Sequence, residues 1–228
     1  MLCLAALCLG KCGGYHIGPL QVGWARDHEE YTQYVLRTTL ALGVVPELTW
    51  APSVQARWEA TRKLLAQLET RSVLDVGGIG SYRSPGVNYT CVNVASERRA
   101  GSCERYDGSY LPFETEEFEI ALAESTLHHA AQNSTRVLAE MGRVATRFVV
   151  VGEDVLEREA SLDVRRAFRQ HDPKARYRSL EKWADLGRDL GLRLVRLIVL
   201  NRVPLHVSGL PSCRLGYAPM AYLVFKKT

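Results

Sequence analysis

Apolar residues recur along this chain in two rhythms. Between residues 52 and 68, Val54, Trp58, Leu64, Leu65 and Leu68 fall at helical spacing, and Arg57, Arg62 and Lys63 interrupt them. That pattern predicts an amphipathic helix, with Pro52 in the first turn, where its missing N–H costs nothing. Residues 26–42 predict another. The period then changes to short continuous apolar runs at 72–76, 89–94, 119–123 and 147–152, separated by segments long enough for a helix or a long loop. Runs of this kind describe parallel strands covered on both faces. Helices at 161–170 and 180–190, a strand at 192–200, a loop rich in Pro and Gly and a last strand at 221–225 complete a doubly wound α/β sheet.

The chain has 228 residues, 46% of them hydrophobic and 24% charged, which suits a globular domain with one sizeable core. Its longest apolar runs, such as residues 2–9, stop far short of the ~18 residues a membrane-spanning helix needs. The net charge of +4 is spread along the sequence and offers no footprint for nucleic acid. Six cysteines form neither a Cys-x-x-Cys pair nor a zinc-ligand spacing, so no metal is expected. Residues 1–14 are apolar but lack a preceding basic residue and make a poor secretory signal. A cytoplasmic location is the expectation, with the secretory pathway as the alternative that the sequons at Asn88 and Asn133 would fit. Without repeats or linkers, the chain reads as a helical extension or lid over residues 1–50 and one domain over 51–228. Its oligomeric state is not legible.

Ligands in doubly wound sheets bind at the carboxyl ends of the strands, so the residues after each early strand are the ones to inspect. The first run ends in Asp75-Val76-Gly77-Gly78-Ile79-Gly80, where glycine lets the backbone turn sharply and approach a ligand. Dehydrogenases, methyltransferases and plain tight turns all use such glycines. Asn93 ends the second run, 18 residues after Asp75, where nucleoside-binding sheets commonly place a ribose acceptor. Asp107-Gly108-Ser109-Tyr110-Leu111-Pro112-Phe113, Phe118-Glu119-Ile120, Glu124-Ser125-Thr126-Leu127-His128-His129 and Glu140-Met141-Gly142-Arg143-Val144 then follow in order.

This succession resembles the class I S-adenosylmethionine-dependent methyltransferases, in the branch of ubiquinone- and menaquinone-biosynthesis enzymes, over residues 72–154. The resemblance implies a Rossmann-like, mostly parallel sheet with its last strand antiparallel and helices on both faces. It also implies S-adenosylmethionine as cofactor. Asp75, Gly77, Gly78 and Gly80 would then shape the methionine pocket, Asn93 would hold the ribose, and Asp107 with Gly108 would meet the adenine edge. Glu124 and Ser125 would line the floor beneath the methyl group. Glu140 and Arg143, three residues apart on a helix, make a structural pair.

A sulfonium methyl is already activated, so transfer needs in-line approach and exclusion of water more than acid–base equipment. For a hydroxyl or acidic-carbon acceptor, His128, His129 and then Glu124 are the candidate bases. The expected partner is a small-molecule acceptor, lodged between the extension and residues 155–177. Ile79 inside the turn and Asn93 in place of an acid keep a second reading open, a methyltransferase-fold protein without catalysis that serves as a binding or regulatory partner. A nicotinamide dehydrogenase is disfavoured, because Arg83 stands where Gly-x-Gly-x-x-Gly requires its last glycine.

Overall fold

The computed structural model of the chain describes residues 41–50, 54–94, 103–156, 169, 172–201 and 220–227. The helices expected at 26–42 and 161–170, and the loop before the last strand, lie outside the described residues except for isolated positions. Eight strands form one sheet: β1 (Pro46–Trp50), β2 (Ser72–Val76), β3 (Asn88–Asn93), β4 (Glu104–Arg105), β5 (Phe118–Glu124), β6 (Ala145–Asp154), β7 (Leu192–Asn201) and β8 (Met220–Lys227). Among the described residues, three α-helices accompany them, α1 (Val54–Gln67), α2 (Ser134–Val144) and α3 (Leu180–Asp189).

The strand order is β1-β7-β8-β6-β5-β2-β3-β4, with β8 antiparallel to both neighbours and every other pair parallel. This is the doubly wound, mostly parallel architecture the apolar runs predict. The chain lays down β2, β3 and β4 outward in one direction, then returns to place β5 and β6 on the other side of β2. The reversal opens a crevice at the carboxyl ends of β2 and β5, where such sheets take their ligands.

Alternation within the strands sends side chains to two cores. Leu74, Val76, Ala121, Ala123, Val149 and Val151 face one side, where α2 adds Val137, Leu138 and Met141 and α3 adds Leu180 and Trp183. Val73, Ile120, Leu122, Val150 and Tyr222 face the other, beneath Leu64 and Leu65 of α1. Helices therefore cover both faces, which is why these strands lack the polar alternation of a half-exposed sheet. Ser179 caps α3 by accepting from the Lys182 amide at 3.3 Å. Glu181 in its first turn and Arg188 in its last suit the helix dipole.

One part of the expected extension needs correcting. Residues 46–50 are not helical lid but an edge strand, paired in parallel with β7 from Pro46↔Leu197 to Trp50↔Asn201. Its proline and glutamate suit an edge, where one side of the backbone carries no ladder. Arg196 fastens it through a two-pronged ion pair to Glu47, at 2.5 and 2.8 Å. No described helix is long and apolar enough to cross a membrane.

Candidate functional site

The crevice begins at the end of β2. Gly77 has φ +76° and Gly80 has φ +80°, backbone conformations that an L side chain rarely adopts. A Cβ on Gly77 would collide with the Thr126 side chain, and one on Gly78 with the Asp75 carboxylate. The turn thus folds down on Asp75 from above while the loop after β5 closes it from the side. Asp75 is wholly buried. Its Oδ2 accepts a hydrogen bond from the Tyr89 hydroxyl, and its Oδ1 makes none among the described residues. Burial, reinforced by the charge of Glu124, pushes its pKa up from 3.8 to about 7 against the pull of Tyr89.

The loops after β2, β3 and β4 converge. The Gly77 amide donates to Val92 O at 2.7 Å, and the Asn93 side-chain amide donates to Gly77 O and Gly78 O at 3.2 and 3.0 Å. An aspartate at this position has no donor and could not hold those carbonyls, which gives Asn93 a physical reason. A disulfide joins Cys91 of β3 to Cys103, and the Cys103 sulfur lies 3.5 Å from Gly78 O. Beyond β4, Asp107 Oδ1 accepts from the amides of Ser109 and Tyr110, each at 2.7 Å, and so shapes the turn that carries Gly108. A Cβ on Gly108 would approach Val94 to 3.0 Å.

Four large hydrophobic side chains stand out as exposed among the described residues. Val45 is 83% exposed, whereas Ile79, Val94 and Tyr110, at 50, 52 and 51%, all lie just beyond the carboxyl ends of β2, β3 and β4. Apolar surface gathered around a polar turn is what a flat, partly apolar ligand requires.

Glu124, at the end of β5, sits on the α1 side of the sheet. Arg57 Nε pairs with its Oε1 at 2.7 Å, and the hydroxyls of Thr61 and Tyr222 donate to its Oε2 at 2.6 and 2.9 Å. Burial first, and then the charge of Glu124, raise the pKa values of Tyr82 and Tyr222 well above the usual phenol range. Its Oε2 thus holds two hydroxyls, and its Oε1 holds the Arg57 ion pair without a hydrogen bond among the described residues. Ser125 follows with φ +51°, a strained conformation for serine, held by its amide on Gly152 O at 2.7 Å. Arg62 of α1 donates to Ser81 O at 3.2 Å and ties the helix to the far end of the glycine turn.

The rest of the loop after β5 wraps a residue the sequence reading missed. Glu153 of β6 is wholly buried. Its Oε1 accepts from the amides of Thr126 and Leu127 at 3.0 and 2.6 Å, and its Oε2 from His128 Nδ1 at 2.5 Å. Burial pulls the His128 pKa down, but the hydrogen bond and charge of Glu153 outweigh it and the net shift is upward. His129 is exposed, with Nδ1 2.9 Å from Asp172 Oδ2. Partial burial and the charge of His128 lower its pKa against the pull of Asp172. The two imidazoles lie 4.0 Å apart, and with Asp172 they bring three donor atoms within 4.8 Å of one another. The signal for Glu153 in the sequence was an acid pair, Glu153-Asp154, ending the apolar run of β6.

Asp75, Gly77, Gly78, Gly80 and Asn93 thus lie together at the carboxyl ends of β2 and β3, Asp107 and Gly108 form the turn after β4, and Glu124, Ser125, His128 and His129 follow along the end of β5. Glu140 and Arg143 lie elsewhere, paired at 2.7 Å, with Arg143 also donating to Leu111 O and Phe113 O. They lock the Leu111-Pro112-Phe113 loop onto α2. Residues 1–40 of the expected extension lie outside the described residues.

No protein-family model matches the chain, and no curated protein matches it. Solved structures do. A SAM-dependent methyltransferase of Thermotoga maritima aligns with a TM-score of 0.53 at 19% identity, over 89% of this chain and 99% of that one. One from Methanosarcina mazei aligns at 0.53 and 17%, over 70% and 93%. A phosphoethanolamine N-methyltransferase of Haemonchus contortus, solved with phosphomonomethylethanolamine and S-adenosylhomocysteine, aligns at 0.55 and 10%, over 75% and 52%. At these identities the likeness is one of architecture, and the chain has the fold of the class I SAM-dependent methyltransferases.

Proposed function

We propose that the protein transfers a methyl group from S-adenosylmethionine to a small-molecule acceptor. The observation that carries this reading is a glycine turn at the carboxyl end of β2 folded over a buried, half-satisfied carboxylate, with the exposed Ile79 in the turn and the exposed Val94 just beyond β3. The residues fit the group. The space a Cβ would fill at Gly77 and Gly78 is needed by Thr126 and Asp75, so the turn is held in the one shape that leaves its outer backbone free to approach a ligand. Ile79 and Val94 offer surface to the adenine, Asn93 meets the ribose, and Asp107 with Gly108 meets the adenine edge. Arg57, bridging Glu124 and Ser125 beside the turn, is the cation that a methionine carboxylate would meet.

When bound, the cofactor supplies an activated methyl on a sulfonium. The chain's own residues orient and desolvate. Asp75, raised to about 7, ionises more readily beside a positive charge and so steadies the sulfonium end. Glu124, in an ion pair with Arg57 and accepting from the Thr61 and Tyr222 hydroxyls, is held as a rigid floor. Of the two histidines, His129 suits a general base: its lowered pKa keeps it neutral near pH 7, and Asp172 on Nδ1 leaves Nε2 to take the proton. His128, held by Glu153, is a positioning residue for the loop.

A thermal-shift titration with S-adenosylhomocysteine tests the reading. Ligand at 100 times its Kd stabilises by about 2.7 kcal/mol, which for a chain of this size raises Tm by roughly 5–10 °C. Gly77→Val, which drives a branched side chain into Thr126, is expected to abolish the shift. No shift for the folded native protein at millimolar ligand would contradict cofactor binding and favour the non-catalytic reading.

A further inference from the structure

A cavity among the described residues lies away from the glycine turn. It holds about 400 Å³ on the far side of the histidine pair, and Arg169, Arg176, Arg178 and Lys182 line it together with Tyr177 and Asp172. Its wall is built from the histidine loop. The Arg176 amide donates to His128 O at 2.8 Å, the Tyr177 ring stacks on the His128 ring at 5.0 Å, and Asp172 is the partner of His129. Four cations against one carboxylate leave a large positive excess, and that carboxylate is already committed to His129 and to the amides of Lys174 and Ala175.

Several cations elsewhere are held by carboxylates. Arg57, Arg143, Arg147, Arg188, Arg196 and Lys227 each reach a carboxylate within 3.4 Å. Among the described residues, Arg169, Arg176 and Lys182 reach none. Arg178 is anchored instead by its Nη2 on Ser134 Oγ at 2.7 Å and by the Trp183 ring 4.7 Å below its guanidinium. Burial first, and then the charge of Arg176, disfavour the Arg178 cation against the pull of the buried Glu153. Like charges held together around a hollow at such a cost are relieved by a bound anion.

We propose that this cavity binds a doubly charged oxyanion, of the phosphate type, carried by the methyl acceptor, and that the acceptor's nucleophilic end projects past Tyr177 toward His128 and His129. The volume suits a small molecule rather than a bare ion. The anchored Arg178 and the mobile-stemmed Lys182 offer, respectively, a forked and a point-like donor to the oxygens. The assignment of the acceptor rests on the methyltransferase reading, whereas anion binding itself does not.

Calorimetric titration with inorganic phosphate, at fixed ionic strength, tests it in the native chain, in Arg176→Gln/Lys182→Gln and in Arg193→Gln/Lys226→Gln. The first pair lines or flanks the cavity, and the second removes equal charge from exposed positions on β7 and β8. The cavity pair is expected to weaken phosphate by about tenfold or more, equivalent to ~1.4 kcal/mol. The distant pair should leave it within about twofold, and both should bind S-adenosylmethionine as the native chain does. Undetectable phosphate binding, or equal losses in the two pairs, would overturn the proposal. Phosphate binding with the expected pattern but no S-adenosylmethionine binding would keep the anion site and remove the methyl-transfer reading instead.

Discussion

Two wholly buried carboxylates, on β2 and β6 to either side of β5, are satisfied in opposite ways. Glu153 gathers two backbone amides and an imidazole, so the loop after β5 closes on it as on a nail. Asp75 has one phenol and an oxygen with no partner among the described residues, and burial lifts its pKa to about 7. A carboxylate with its acceptors filled stabilises structure, because removing it strands its donors. One left half-satisfied under a glycine turn responds to what binds above it. The first is architecture, and the second is the one proposed to belong to a site.

The comparison breaks most visibly at Glu153. Glu153→Ala leaves a buried imidazole and two amides without an acceptor, and should cost about 3–5 kcal/mol in urea unfolding. Asp75→Asn, by contrast, should fold at least as stably as the native chain at neutral pH. A loss at Asp75 as large as at Glu153 would erase the distinction.

The disulfide comes next. Cys91→Ser/Cys103→Ser should lose about 2–4 kcal/mol, with the loss mirrored by reduction of the native protein. Because the Cys103 sulfur touches Gly78 O, the same change should loosen cofactor affinity. A stable disulfide is at home in oxidising compartments, and it sharpens the secretory alternative raised by the exposed Asn88 and Asn133.

A finer effect lies in pH. The folded pKa of Asp75 is raised, so its contribution is present below its ordinary value of 3.8 and is lost as pH rises toward about 7. Asp75→Asn should therefore gain on the native chain through that window, by up to about 1.4 kcal/mol per pH unit. His128 is also raised, so its contribution is complete below 6.5 and falls away as pH climbs through its folded value. His128→Asn should flatten the unfolding profile above 6.5 and leave the acid side unchanged. Identical profiles for the native chain and both variants would contradict the two environments described.

Much of the fold was legible because its strands are buried on both faces. The run at 72–76 coincides with β2, and the other runs fall within two residues of β3, β5, β6, β7 and β8. Pro46–Trp50 escaped notice because an edge strand of Pro-Glu-Leu-Thr-Trp carries no apolar run, and the two exposed residues of β4 carry none either. Among site residues, the glycine turn and Asp75 announced themselves by local order. Glu153 did not, because what makes it matter is a loop that arrives from another strand. The Cys91–Cys103 bond lacks a local motif for the same reason: it depends on β3 and β4 lying side by side. The basic cavity was visible only as a segment. Residues 155–177 were expected to face the acceptor, but Arg169, Arg176, Arg178 and Lys182 are scattered in sequence and meet only in space.

The glycine turn over Asp75 is proposed to receive a sulfonium cofactor. Calorimetry of S-adenosylmethionine binding near pH 7, in two buffers of different ionisation enthalpy, measures affinity and proton exchange together. The native chain is expected to bind and to release a fraction of a proton, as the positive sulfur draws Asp75 into its ionised form, and Asp75→Asn to bind without that release. Absence of binding, or the same proton count in both proteins, would contradict it.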